Sequence, residues 1–142
     1  MVYLGLGTNL GDRRANLSRG RELLEERLGV QLIASDELET EAIGFEGGDF
    51  INQVVAFERP DGLEPECLLD ICQRIEIEMG REPHCPRYKE DGTRLYEDRI
   101  IDIDILIFDD VNICTERLII PHPQVQNRFF VTKLLQNVNE KL

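Results

Sequence analysis

Apolar and polar positions change period along this chain, and each change marks an element. Val2-Tyr-Leu-Gly-Leu6 reads as a short strand that enters the glycine-rich turn Gly7-Thr-Asn-Leu-Gly-Asp12. Leu17, Gly20, Leu24 and Leu28 then recur at helical spacing. Asn9 or Asp12 stands near the start of that helix and Gly29 at its stop. Val30 to Ser35, extending toward Thr40, reads as the next strand, Gly44 to Asp49 as a loop and Phe50 to Phe57 as a strand. After the turn Pro60-Asp-Gly62, a second helix runs from about Glu64 to Met79. It carries Leu68, Ile71, Cys72, Ile75 and Met79 on one face and ends at Gly80. Arg81 to Asp98 is polar and aperiodic, and a β-branched strand follows from Arg99 to Phe108. Asn112 to Ile120 reads as extended, broken at Pro121-His-Pro123, and Asn127 to Val138 as a last helix.

The order β-α-β-β-α-β predicts an α+β fold of the ferredoxin-like kind. Its antiparallel sheet carries helices on one face, and a C-terminal strand and helix extension covers part of the other. The first strand and the Arg99–Phe108 strand are expected as neighbours in the middle of the sheet. With no internal repeat or low-complexity segment, residues 1–142 are expected to form one domain.

Charge narrows the function. A net charge of −12 over 142 residues argues against a sequence-independent nucleic-acid binder, which needs a basic face. Nothing resembles a signal peptide, and no apolar run approaches the roughly 20 residues of a membrane span. A cytoplasmic protein is expected. Cys67, Cys72, Cys85 and Cys114 fit no common zinc spacing with His84 and His122, so they read as thiols in a reducing compartment.

The chemistry concentrates in Arg99-Ile-Ile-Asp-Ile-Asp-Ile-Leu-Ile-Phe108. Side chains alternate along a strand, so Ile101, Ile103, Ile105 and Ile107 are expected on one face. Asp102 and Asp104 share the other with Ile100, Leu106 and Phe108. The two carboxylates stand roughly 6–7 Å apart at the backbone. Burying an unpaired carboxylate is costly, so they are either solvated on a sheet face or hold a hard cation. The run Gly5-Leu-Gly-Thr-Asn-Leu-Gly11 is not a dinucleotide fingerprint, because its third glycine comes one residue late. The segment Arg81–Arg99 mixes five basic with five acidic residues, and its arginines lie beside the aspartate strand. Arginines near metal-binding carboxylates suit a polyphosphate. Asn52 sits among apolar strand neighbours and calls for a hydrogen-bonding partner.

Five elements in order resemble one family. They are Tyr3-Leu-Gly-Leu-Gly-Thr-Asn-Leu-Gly11, Phe50-Ile-Asn-Gln-Val54, Gln73-Arg-Ile-Glu-Ile-Glu-Met-Gly-Arg81, Arg99 to Leu106, and the pair Glu116 to His122 with Asn127 to Phe130. The chain resembles the 6-hydroxymethyl-7,8-dihydropterin pyrophosphokinases of folate biosynthesis. That resemblance implies transfer of the β,γ-pyrophosphoryl group of ATP to the pterin hydroxymethyl oxygen, with release of AMP. Asp102 and Asp104 would hold two Mg²⁺, and Arg81 and Arg99 would serve catalysis. Gln73, Ile105, Arg117, His122 and Arg128 would bind ATP. Phe50 and Phe130 would sandwich the pterin, with Asn52, Thr40, Ile43 and Gly44 around its polar edge. The implied partners are two small molecules acting on a monomer, with no nucleic acid and no membrane. Separately from the resemblance, the length, polarity and aperiodicity of Arg81–Asp98 predict a lid that orders over both substrates.

The chain departs from the family pattern in places. A second Arg after Gly80-Arg81 is missing, and Tyr96-Glu-Asp98 replaces a Trp-Gly-Pro. Pro123 and Gln126 stand where an aromatic hydroxyl and a Lys are frequent, and Glu41-Ala42 replaces a common Pro-Pro. Two rivals stand beside this reading: a pterin-binding enzyme of another reaction type, and a non-catalytic ferredoxin-like binding module.

Overall fold

A computed structural model describes residues 1–40, 49–80 and 100–142. The first strand, β1 (Val2–Thr8), runs into α1 (Arg13–Leu28). Asp12 caps that helix by accepting from the Ala15 amide at 3.1 Å, and Gly29 ends it at φ 66°, a left-handed conformation that suits glycine. The expected strand from Val30 toward Thr40 is two short ones, β2 (Ile33–Ala34) and β3 (Leu38–Thr40). Both pair with β4 (Phe50–Phe57), one after the other along the same edge. Between them Ser35 stays tied to Val54, donating its amide to the Val54 carbonyl and accepting the Val54 amide on its hydroxyl. The polar pair Asp36-Glu37 interrupts the ladder there.

The second helix, α2 (Pro65–Glu78), lies within the expected bounds, and β5 (Asp102–Phe108) follows residues 81–99. The expected extended stretch is a hairpin of its own, β6 (Ile113–Cys114) with β7 (Ile119–Ile120). The expected last helix is α4 (Phe129–Glu140), which starts two residues later than expected; a short α3 (Gln124–Asn127) precedes it, with Arg128 in extended conformation between them.

The main sheet has the order β2-β4-β1-β5, all antiparallel. β1 and β5 are therefore neighbours, as expected, but β5 lies at the end of this order and not in the middle. Its outer edge is not bare. The Leu106 carbonyl accepts the His122 amide at 2.9 Å, and the Ile103 amide donates to Glu76 at 3.3 Å.

Two apolar layers flank the sheet. On one face Leu4, Leu6, Ile51, Val55, Ile103 and Ile105 pack with Leu17 and Leu24 of α1 and Leu68, Cys72 and Ile75 of α2. On the other, Val54, Ala56 and Leu106 pack under Val131, Leu134, Leu135 and Val138 of α4. Strict alternation along β5 fails after Leu106. The register with β1 shifts between Tyr3 and Leu4, so Tyr3 faces Ile107 while Leu4 faces Ile105. This bulge inserts one residue and reverses the parity beyond it. Ile107 joins the α4 layer and Phe108 joins the layer under α1 and α2, the opposite of the expected assignment.

Candidate active site

α4 covers only one end of its sheet face. At the other end Asp102 and Asp104 lie on that face, both half-buried. On the neighbouring β1 the residues opposite them are Gly7 and Gly5. Gly7 in turn pairs with Asn52 across β4, so Asn52, Gly7 and Asp102 form one row over three strands. A Cβ at Gly7 would stand 3.3 Å from Asn52 Oδ1 and 3.6 Å from the Phe50 ring. The missing side chain therefore lets Asn52 and Phe50 lie close over β1, on the floor between β4 and the aspartates.

Asn52 is oriented by its own strand neighbours. Its Nδ2 donates to Thr40 Oγ1 at 2.7 Å and to the Leu38 carbonyl at 3.4 Å. Both amide hydrogens are thus directed at β3, which turns Oδ1, an acceptor, toward Gly7. Thr40 and Phe50 face each other in the β3–β4 register.

The segment after β7 brings the basic groups. His122 is pinned to β5 through its main chain, and its Nδ1 accepts the Gln124 amide at 3.1 Å. That bond places the neutral ring's proton on Nε2. Desolvation lowers the His122 pKa below its ordinary value. The Asp102 carboxylate opposes this and the Arg128 guanidinium reinforces it. His122, Asp102 and Arg128 thus share one electrostatic neighbourhood. The Arg128 guanidinium also lies over the Phe130 ring, 5.9 Å from its centroid. Phe129 meets Phe130 edge-on at 6.4 Å and is 82% exposed.

Other expected residues stand apart from this floor. Arg117 is ion-paired with Asp70 and, at 3.7 Å, with Glu66, both on α2. Gln73 is an exposed residue of α2. The Ile105 side chain is only 3% exposed and belongs to the layer under α1 and α2, so a ligand could meet this residue only through its main chain. Ile43, Gly44, Arg81 and Arg99 lie outside the described residues, as does the expected lid over 81–98.

One residue escaped the sequence reading. Glu76 is 4% exposed and reaches from α2 to the Ile103 amide on the edge of β5. Burial pushes the Cys72 thiol up, and both Glu76 and Asp104 push it further the same way. Glu76 therefore lies beneath the same strand as the aspartates. The signal was present: Leu68, Cys72, Ile75 and Glu76 share one helical face, and a carboxylate there has to serve a partner.

Among the described residues no three His, Cys, Asp or Glu side chains gather as a metal cage. Two carboxylates on one strand face are nonetheless an adequate protein share for Mg²⁺. That ion takes one or two carboxylates and fills its octahedron with water and phosphate oxygens.

Residues 3–140 match the family described as 7,8-dihydro-6-hydroxymethylpterin-pyrophosphokinase. The chain is 43% identical over 140 residues to the 2-amino-4-hydroxy-6-hydroxymethyldihydropteridine pyrophosphokinase of Porphyromonas gingivalis, covering 97% of this chain and 90% of that protein. The Aquifex aeolicus protein of the same name is 41% identical over 137 residues, covering 95% of this chain and 78% of that one. The Bacillus subtilis one is 34% identical over 144 residues, covering 100% of this chain and 80% of that one.

Proposed function

The chain belongs to the 7,8-dihydro-6-hydroxymethylpterin-pyrophosphokinase family, and from that premise we propose how its residues carry the reaction. The activity is ATP-dependent transfer of pyrophosphate to the hydroxymethyl group of 6-hydroxymethyl-7,8-dihydropterin, in folate biosynthesis. The hydroxymethyl oxygen bonds to the β-phosphorus of ATP. The bond from that phosphorus to the α-phosphate oxygen breaks, AMP leaves and the hydroxyl proton is released. This assignment displaces both rivals, the pterin enzyme without ATP and the non-catalytic module.

The observation that carries the residue assignment is the row Asn52–Gly7–Asp102. It sets an acceptor for a ring edge and a carboxylate for a cation at opposite ends of one open floor. The pterin lies over Phe50 and Asn52, with Phe130 on its other face and Thr40 holding the Asn52 amide. Asn52 Oδ1 accepts from the ring's N–H edge. The phosphates lie toward Asp102 and Asp104. Two Mg²⁺ held there would neutralise phosphate charge and fix the oxygens in line. Phosphoryl-type transfer asks for positioning and charge stabilisation more than for a strong base. Neutral His122 offers its Nε2 proton to a phosphate oxygen, and Arg128 adds a full positive charge beside it. Arg81 and Arg99 act from residues 81–99 on the transferring group. Gln73, Arg117 and the Ile105 main chain bind the nucleotide, and Ile43 and Gly44 complete the pterin side. Glu76 holds β5 from below so that the two aspartates keep their spacing.

We read the fold that carries this site as ferredoxin-like, with the β6–β7 hairpin, α3 and α4 as the C-terminal extension. The order β2-β4-β1-β5 with α1 and α2 on one face supports it. The reading is of one domain over residues 1–142, acting as a monomer on small molecules in the cytoplasm. No helix among the described residues is long and apolar enough to cross a membrane.

The test is product analysis. With ATP, Mg²⁺ and 6-hydroxymethyl-7,8-dihydropterin, AMP and pterin diphosphate should appear one for one, and chelating the metal should stop both. Asp102→Asn and Asp104→Asn should show the same loss at saturating Mg²⁺. ADP in place of AMP would overturn the reaction. Full turnover in both variants would overturn the metal assignment.

A further inference from the structure

We propose that Arg13 is a positioning residue for pterin recognition, fastening the end of β3 to the start of β4. The inference rests on the reading above that the pterin lies over Phe50, Asn52 and Thr40.

Arg13 is the first residue of α1. Its Nη1 donates to Glu39 Oε1 at 2.7 Å and to the Asp49 carbonyl at 2.8 Å. One –NH₂ group with two hydrogens thus spans the last turn of chain before Thr40 and the residue just before Phe50. The side chain is 28% exposed, so the bonds are partly shielded from water. Arg14 adds a second tie, from its Nε to Glu37 at 3.1 Å on the other side of Leu38.

These are the strands that set the pterin edge. Thr40 pairs with Phe50, Glu39 with Ile51 and Leu38 with Asn52. Asn52 takes its orientation from the Thr40 hydroxyl and the Leu38 carbonyl. β3 is only three residues long, and such a strand holds its register weakly by itself. A slip of β3 by a fraction of a residue would release the Asn52 amide to rotate and present Nδ2 where Oδ1 is needed.

Local electrostatics sharpen the case. A cation at a helix N-terminus is unfavourable, because that end carries the positive pole of the peptide dipoles. α1 nevertheless begins Arg13-Arg14 and has no acidic residue in its first turn. A position that opposes its own helix is explained by what it holds across the fold.

The experiment is steady-state kinetics with MgATP and 6-hydroxymethyl-7,8-dihydropterin on four variants of the full chain. In Arg13→Ala the KM for the pterin should rise about tenfold, from loss of charge-assisted hydrogen bonds. The KM for ATP should stay within about twofold of wild type. Arg13→Lys keeps the charge but not the two-pronged –NH₂, and should recover part of the loss. Glu39→Gln, a mild surface change, should show the same split more weakly, and keeps the question open to decision if Arg13→Ala folds poorly. Asn52→Ala is the control for the pterin site itself. A raised pterin KM in Asn52→Ala with wild-type values in Arg13→Ala and Glu39→Gln overturns the positioning role alone. Equal rises in both KM values, or a loss confined to melting temperature, would also overturn it, because that pattern marks a purely structural contact. An unchanged pterin KM in Asn52→Ala removes the pterin reading, and the role of Arg13 falls with it.

Discussion

At Gly7 the absence of one carbon atom has a functional consequence. A Cβ there would approach Asn52 Oδ1 to 3.3 Å, so the amide would have to give way by a few tenths of an ångström. Gly7→Ala should therefore raise the pterin KM several-fold while the melting temperature moves little, since alanine in a strand interior has a smaller conformational cost than glycine. Both quantities are read from one preparation. The aspartates ask for a different measurement. Asp102→Ala or Asp104→Ala should lower kcat by on the order of 10²-fold or more, the scale of losing charge stabilisation at a reacting group. Far-ultraviolet circular dichroism should stay native, because each variant removes one of two like charges from a sheet surface. His122 gives a pH signature. Its folded pKa is depressed, so the unfolded chain binds the proton more tightly. Stability therefore rises with pH between the folded value and about 6.5, and is complete above it. Histidine-selective NMR titration of the apo protein should place the His122 midpoint below the ordinary imidazole value. Arg128→Ala should move that midpoint up and Asp102→Asn should move it down. Shifts of the opposite sign would separate His122 from both groups. These residues were legible as residue types in a pattern. Glu76 was legible only from its place on the apolar face of α2, a signal easily passed over because a charged residue on an amphipathic helix defaults to the solvent side.

At the scale of elements, the period of the sequence was enough for β4, α2 and most of α1, and it failed at three particular joints. The stretch Val30–Thr40 has β-forming residues throughout, but Asp36 and Glu37 cannot continue the ladder, so one expected strand is two. In β5 alternation alone could not reveal the bulge that reverses Ile107 and Phe108, since an inserted residue leaves no compositional mark in a run of isoleucines. Arg128, extended between α3 and α4, puts the start of the last helix two residues later than its period suggested. α4 is fastened at its middle and at its C-terminal end. Leu134 is buried against the sheet, and Lys141 and Asn137 hold Asp36 between β2 and β3. Leu134→Ala should cost about 2–5 kcal/mol in urea unfolding, the usual range for a buried leucine. The Asp36 carboxylate is held below its ordinary range, first by the Lys141 hydrogen bond and charge. Its folded pKa is depressed, so its contribution is present above the unfolded carboxylate pKa and disappears as pH falls through the folded value. Asp36→Asn should flatten that acid-side slope of stability and leave the slope near neutrality unchanged.

For the molecule as a whole, the acidic balance and the site make opposite demands. A net charge of −12 repels ATP at long range, so the cationic groups beside the aspartates have to act at short distance. Raising the ionic strength should screen that repulsion and raise the association rate for nucleotide, measurable by stopped-flow, where a basic protein would show the reverse. The adjacency of β1 and β5 was readable from the succession of elements, but the place of β5 at the end of the order was not. Periodicity tells which face a residue occupies and nothing about how many neighbours its strand has. The row Asn52–Gly7–Asp102 also bears on how the chain acquires its structure. Its three members come from the beginning, the middle and the last third of the sequence, and no two that pair across the sheet belong to consecutive strands of the chain. Pairing at such separation is among the slower events in folding, because loop closure has to be met before the contact rewards it. On the proposed assignment, a chain still lacking β5 on its sheet has neither aspartate in place to hold Mg-nucleotide. Ligand therefore recognises only the finished sheet. It should slow unfolding in proportion to its concentration while leaving the refolding rate untouched, so that substrate acts as a lock on the completed fold and never as a template for it.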